Sequence, residues 1–297
     1  MDHFLVEQII GPKGPLSGEK VQDIHSISGG CIHDAWKLQL ANDQIFFAKT
    51  NSPENYKILE FEFNGLKTLN NYADDSLLII PKPLHVMKLE TSSILLMQWI
   101  DIQKNDDTNL GKGLALMHSL SSENRQGSFG WGQDGFIGTG PQPGGFTNNW
   151  GECFVNLRLI PQMKVANCWG FNLNKYRPLL LKIIDFLNED HPSQSIVHGD
   201  LWAGNAGMSL DNRGVIFDPA VWWGNREVDI AMTKLFGGFS KQFYEGYEQV
   251  WKLEESFFKK IDIYNLYHLL NHANLFGGGY KTQCMESLKK IEKLLLL

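Results

Sequence analysis

The sequence predicts an α+β fold of two lobes, a small N-terminal lobe on an antiparallel sheet over residues 1–101 and a larger, mainly helical lobe over residues 102–297. Three observations predict it. Residues 23–99 carry short runs of alternating apolar and polar side chains broken by one helical pattern; residues 103–109 read as a polar linker; and from residue 110 onward apolar side chains recur at helical spacing.

In the first lobe, residues 33–40 place Asp34, Trp36, Leu38 and Leu40 on one side at period two, and residues 44–50 form a second strand. Asn42-Asp43 between them suits a hairpin turn. Pro53 precedes a helix over residues 54–72, and Pro81 and Pro83 lead into a strand over residues 93–99. The predicted order is strand, strand, helix, strand, strand. In the second lobe helices are predicted over residues 110–120, 148–165, 173–188, 229–236, 241–251, 263–276 and 282–297. Residues 127–146 form a glycine-rich loop too long for a simple connector, expected to be functional, with Phe129, Trp131, Phe136, Ile137 and Phe146 as apolar anchors.

The bulk numbers exclude several classes. With 297 residues the chain is long enough to bury a sizeable core, and 43% hydrophobic with 20% charged residues is a globular composition, not a disordered one. A net charge of −6 argues against general affinity for nucleic acid or anionic lipid. Cys31, Cys153, Cys168 and Cys284 form neither a CxxC pair nor a disulfide spacing, which suits a reducing compartment. The N-terminus lacks the pattern of a secretory signal and no stretch is long enough to span a bilayer, so a cytoplasmic location is expected; oligomeric state is not readable.

The strongest chemical signal is His198-Gly199-Asp200-Leu201-Trp202-Ala203-Gly204-Asn205, followed by Asp218 at the end of a strand-like run. His-x-Asp-x4-Asn with a later Asp reproduces the catalytic loop and metal-binding Asp of protein kinases, with Gly199 where Arg usually sits and Asp-Pro-Ala in place of Asp-Phe-Gly. In that reading Asp200 is the catalytic base that accepts a hydroxyl proton. Asn205 and Asp218 supply hard oxygen ligands to Mg2+ bridging the phosphates of ATP. A lone Asp in a Gly-rich turn is often only an Asx-turn or a cap; Asn205 and Asp218 together argue against that here.

A kinase also needs an upstream strand lysine paired with a helix glutamate. Lys49 ends the run Phe46-Phe47-Ala48-Lys49. In the next helix Leu59, Phe63 and Leu66 form an apolar stripe, and Glu62 lies within it. A carboxylate on a buried face needs a cationic partner, and Lys49 is the natural one. The alternative is a snorkelling Glu62 and a solvated Lys49. Gly29-Gly30 would let backbone N–H groups approach phosphate, and equally suits an ordinary hairpin; Cys31 beside them is either an oxidisable thiol or a small buried hydrophobe. Gln98, Trp99, Ile100 and Asp101 would present backbone to the adenine. Asp229, opening a helix after the Asp218 loop, is expected to cap N–H groups or tie down the catalytic loop.

The chain resembles the fructosamine kinase (ketosamine-3-kinase) family, relatives of aminoglycoside and choline kinases with a protein-kinase-like fold. The matching residues span nearly all of it: Gly29-Gly30-Cys31-Ile32, Phe129-Gly130, Phe136-Ile137-Gly138, Pro141-Gln142-Pro143, Trp150 through Phe154 to Arg158-Leu159 and Gln162, the motif at 198–205, Phe217-Asp218-Pro219-Ala220, and two later blocks at 224–231 and 266–272. The resemblance implies a ketosamine substrate, a sugar–amine adduct on a small molecule or a protein, phosphorylated at its 3-hydroxyl. It implies that Trp202 and Trp150 flank that substrate; the alternative for Trp202 is ordinary core. Two departures stand out: Gln98 where relatives often carry an acid, and Asn148-Asn149 where they usually have Asp. The second puts in doubt how a cationic part of the substrate is read. Rival readings are a kinase of another alcohol, a metal-dependent phosphohydrolase, which leaves Lys49 and Glu62 without a part, and a non-catalytic ATP-binding protein.

Overall fold

The computed structural model describes residues 1–27, 33–123 and 127–296. The chain opens with α1 (His3–Ile10), β1 (Val21–Ile27), β2 (Asp34–Leu40), β3 (Ile45–Asn51), α2 (Tyr56–Asn70), β4 (Leu78–Ile79), β5 (Pro83–Lys88), β6 (Ser93–Gln98) and β7 (Ile102–Gln103). A five-stranded antiparallel sheet runs in the order β1, β2, β3, β6, β5. The β2–β3 hairpin turns at Asn42-Asp43 as predicted, with Asp43 at φ +65° and the Leu40 N–H donating to the Gln44 carbonyl over 2.8 Å.

Each face of this sheet has its own cover. Leu38, Leu40, Ala48, Ile94 and Leu96 pack on Leu5 and Ile9 of α1 and on Leu16. Helix α1 is missing from the predicted order: an eight-residue segment is too short for a clear period, although Asp2 caps it by accepting the Leu5 N–H at 2.8 Å. Leu95 and Met97 join Leu59, Phe61, Leu66 and Leu69 of α2 in the main core. The buried side of α2 includes Glu62, as predicted, but Phe61 lies in it and Phe63 is only half-buried.

The remainder holds α3 (Thr108–Glu123), β8 (Phe129–Trp131), β9 (Gly135–Ile137), β10 (Gly140–Gln142), β11 (Gly145–Thr147), α4 (Trp150–Phe154), a π turn (Val155–Leu159), α5 (Ile160–Val165) and α6 (Arg177–Asn188). Then follow β12 (Ser195–Val197), β13 (Ala206–Ser209), β14 (Gly214–Ile216), β15 (Trp222–Gly224), α7 (Glu227–Leu235), α8 (Lys241–Val250), α9 (Phe257–Phe276) and α10 (Gly279–Leu296). The predicted helices are all present, with α9 and α10 starting earlier than expected. The glycine-rich loop is a correction: residues 129–147 fold into four three-residue strands, β8 pairing with β11 and β9 with β10. Strands this short leave no alternation to read. Phe129 and Ile137 are buried anchors, whereas Phe146 is exposed.

Two small sheets position the site. In one, β4 pairs in parallel with β14, and β7 antiparallel with β13. The segments before and after the first sheet's β5–β6 hairpin are thereby hydrogen-bonded to the strands around residues 206–216. The other runs β11, β8, β15, β12. Among the described residues no helix is long and apolar enough to cross a membrane. Cys153, Cys168 and Cys284 are free thiols; Cys31 lies outside the described residues.

Candidate active site

Strand β12 delivers His198 to Asn205 into a loop whose backbone is fixed from several directions. Gly199 sits at φ +81°, and a Cβ there would stand 2.1 Å from the Ala220 carbonyl oxygen, so glycine replaces the usual arginine for want of room. Asp229, in the first turn of α7, accepts the N–H of His198 at 2.7 Å and of Gly199 at 2.8 Å. It also accepts from His118 Nε2 at 3.1 Å. Arg226 Nη1 donates to the Tyr247 hydroxyl at 3.0 Å, leaving its proton for His118 Nδ1 at 2.9 Å, which assigns the His118 N–H to Nε2. Burial alone would raise the Asp229 pKa, but these partners hold it below the ordinary carboxylate value. The expected loop-tying role of Asp229 is thus met in the structure.

The catalytic loop and the Asp218 loop are joined backbone to backbone. Ala220 N–H donates to the His198 carbonyl at 2.9 Å and Phe217 N–H to the Asn205 carbonyl at 3.0 Å. His198 Nδ1 accepts the Asp200 N–H at 3.3 Å, so Nε2 carries the proton that reaches the Phe217 carbonyl at 2.8 Å. Gly65 lets α2 rest on this segment: a Cβ there would meet Val221 Cγ1 at 2.9 Å. Asp218 itself adopts φ +59°, a conformation that costs a non-glycine residue energy and recurs at functional sites.

Asn205 Nδ2 donates to the Asp200 carbonyl at 2.9 Å and lies 3.4 Å from Asp200 Oδ2. Asp200 Oδ1 is buried with no hydrogen-bond partner among the described residues. Burial first, then the charges of Asp218 and Asp229, push the Asp200 pKa up to about 7.

Lys49 on β3 pairs with Glu62 of α2 at 2.7 Å and with Asp218, which lies 169 residues further along the chain. Lys49 and Glu62 are buried, so the solvated alternative for this pair is set aside. Burial disfavours the lysine charge, but the two carboxylates outweigh it and raise its pKa. Between the carboxylates the shift divides. Glu62, sealed in the core, is pushed up to about 7 by burial, whereas Asp218, 40% exposed, is held low by Lys49 despite desolvation.

The remaining predicted residues scatter. Gln98 ends β6 and is exposed; its N–H donates to the Lys82 carbonyl at 2.9 Å. Trp99 stacks on Phe47 with ring centroids 6.2 Å apart and donates to Asp101 at 2.9 Å, and Ile100 lies between them in the connection to β7. Trp202 is 40% exposed, its ring lying against Gly204, where a Cβ would stand 2.2 Å from a ring carbon. Gly29 and Gly30 lie outside the described residues.

A sequence model of the family described as Fructosamine kinase matches residues 12–294. The chain belongs to the fructosamine kinase family. It is 35% identical over 274 residues to a protein of Synechocystis sp. named a probable ketoamine kinase, covering 91% of this chain and 90% of that one. It is 32% identical over 282 residues to a chloroplastic protein-ribulosamine 3-kinase of Oryza sativa subsp. indica, covering 93% of this chain and 80% of that one. A solved structure from Thermobifida fusca, described as a putative fructosamine-3-kinase, superposes with a TM-score of 0.80 at 26% identity, covering 93% of this chain and 95% of that one. The two-lobed kinase-like fold expected from the sequence is the fold observed.

Against that family background one predicted residue needs correction. Trp150 is 1% exposed, stacked on Trp222 at 5.6 Å and tilted against Phe129 and Phe154, with its N–H 3.3 Å from the Tyr264 hydroxyl. It is core, not the exposed ring face expected. Other residues around the site had no role assigned from the sequence. Gln142 donates to the Ala220 carbonyl at 3.1 Å while accepting from the Tyr267 hydroxyl at 2.9 Å. Asn51 takes Ser52 N–H and Asn55 Nδ2 on its Oδ1, so its Nδ2 donates to His33 Nδ1 at 2.7 Å and the His33 N–H is on Nε2. Burial and nearby Lys49 lower the His33 pKa to about 4. The signal for His118 was present: a histidine one residue after Met117 on the buried face of α3.

Proposed function

We propose that this chain is an ATP-dependent kinase that phosphorylates the 3-hydroxyl of ketosamines, fructosamine or ribulosamine adducts. The observation that carries the reading is the meeting of Lys49, Glu62 and Asp218, so distant in sequence, beside the loop that holds Asp200 and Asn205. The residues fit the groups the reading requires. Asp218 and Asn205 offer two oxygen donors, and no cluster of three or more His, Cys, Asp or Glu able to hold a metal occurs among the described residues. That suits Mg2+, which takes one or two protein oxygens and completes its shell with water and phosphate. When bound, Mg2+ with ATP supplies the transferable phosphoryl group and neutralises its charge.

The chain's own residues divide the work. Lys49, oriented by Glu62, binds and orients phosphate oxygens, and Gln98, Trp99, Ile100 and Asp101 present backbone to the adenine. Asp200 accepts the proton of the acceptor hydroxyl at Oδ2, because Oδ1 is sealed while the side chain is 20% exposed. Its raised pKa matches a base working near neutral pH. Trp202, exposed in the same loop, offers a ring face to the sugar. Phosphate at C3 beside the C2 carbonyl is a leaving group; loss of a C1 proton expels it, and water hydrolyses the resulting C1 imine to free the amine, so deglycation is the proposed outcome and the cytoplasm the proposed location.

A panel of ribulosamine, fructosamine, choline and an aminoglycoside, assayed by coupled ADP release with Mg2+ and ATP, tests the reading. The expected result is ADP only with the ketosamines. Phosphate release from simple esters without ATP would favour a hydrolase instead.

A further inference from the structure

His268 on α9 is fully buried, and neither of its ring nitrogens has a hydrogen-bond partner among the described residues. Burial and neighbouring His272 lower its pKa to about 3, so the ring is neutral, with one N–H and one lone pair. Buried polar groups without partners are rare in folded proteins. His268 Nδ1 stands 4.0 Å from Asp200 Oδ1, the oxygen that is itself buried and unpartnered. Two unsatisfied groups of matching chemistry face each other across a gap about 1 Å longer than a hydrogen bond.

We infer that His268 is a positioning residue for Asp200: its Nδ1–H bonds Oδ1 when the acceptor site fills, stopping rotation of the carboxylate and aiming Oδ2 at the acceptor hydroxyl. The inference rests on the reading of Asp200 as general base. Asn205 grips this residue mainly through its backbone carbonyl and reaches Oδ2 only at 3.4 Å, so the side chain lacks another firm anchor among the described residues. A misplacement of about 1 Å in a reacting group can lower turnover about 100-fold.

The test compares four single variants and one double variant with ketosamine as acceptor. His268→Leu keeps an apolar filler without a donor; His268→Asn sets an amide N–H near the place of Nδ1; His268→Gln sets one near Nε2; and Asp200→Asn removes the base. The expected result is a kcat about 10- to 100-fold lower in the Leu variant, with KM for ATP changed by less than about twofold. Recovery is expected with Asn and not with Gln, and the Leu change should cost less than about twofold when placed on Asp200→Asn. Wild-type kcat in His268→Leu beside an inactive Asp200→Asn overturns the positioning role alone. Full turnover in Asp200→Asn overturns the base and this role with it. Equal rescue by Asn and Gln, or rescue by neither, also overturns it, and that comparison stands even where the Leu variant does not fold. Stabilisation by Mg2+ and ATP in a thermal melt certifies each variant.

Discussion

Around Asp200 the backbone is held at His198, Gly199, Asn205, Phe217 and Ala220 by bonds to Asp229 or between the two loops. On the β3–α2 side, by contrast, a single buried lysine is shared by two carboxylates, one of them forced towards its neutral form. The first region is over-determined and rigid. The second is held by charges that phosphate and metal will contest, since Lys49 and Asp218 pair with each other here and each has a proposed ligand of its own. The contrast teaches that the backbone carrying Asp200 is fixed by the fold itself, whereas the charges of Lys49, Glu62 and Asp218 balance only one another.

The largest effect should come from the rigid side. Asp200→Asn is expected to lower kcat by about 10²- to 10⁴-fold, the range for a lost general base, while nucleotide still raises the melting temperature. Near-normal turnover would remove the assigned base. Asp229→Ala strips the partner from two backbone N–H groups and His118, and should lower unfolding free energy by about 3–5 kcal/mol in urea titrations. A loss under about 1 kcal/mol would mean the loop has other supports.

On the charge-held side, Lys49→Met should raise KM for ATP by about 10-fold or more, because hydrogen bonds to charged groups carry about 1.5–3 kcal/mol, and should also lower stability by leaving buried Glu62 without its cation. An unchanged response to ATP would refute the role of Lys49. The pH profile gives the smallest and most diagnostic change. Asp200 must be ionised to accept a proton, so kcat/KM should fall on the acid side with a midpoint near the raised value of about 7. The same upward shift means that ionising Asp200 opposes folding. Its protonated form contributes stability that is complete below about pH 4 and lost as pH rises through about 7. Asp200→Asn should therefore melt higher than the wild type at pH 8, with the gap closing towards pH 4; a constant gap would contradict the shift.

The same contrast decides what could be read in the sequence. Chemistry demands fixed residue types at fixed spacing, so residues 198–205 and Asp218 stood out, and Glu62 was legible because a carboxylate in an apolar stripe calls for a cation. Asp229 could be assigned a supporting part from its place at a helix start. The pairing could not: His118 is marked by its place on the buried face of α3, but it lies 111 residues from Asp229, and only the packed helices bring them together. Trp150 was misplaced because an aromatic residue in a motif block looks alike whether it meets substrate or core. The strands of residues 129–147 and the eight residues of α1 are too short for a period to emerge.

Mass analysis of a ketosamine incubated with this protein, Mg2+ and ATP tests the central claim most directly. The account predicts one phosphoryl group added at the sugar 3-hydroxyl, matched mole for mole by ADP and lost in Asp200→Asn. An unmodified ketosamine, or phosphorylation that persists in Asp200→Asn, would contradict it.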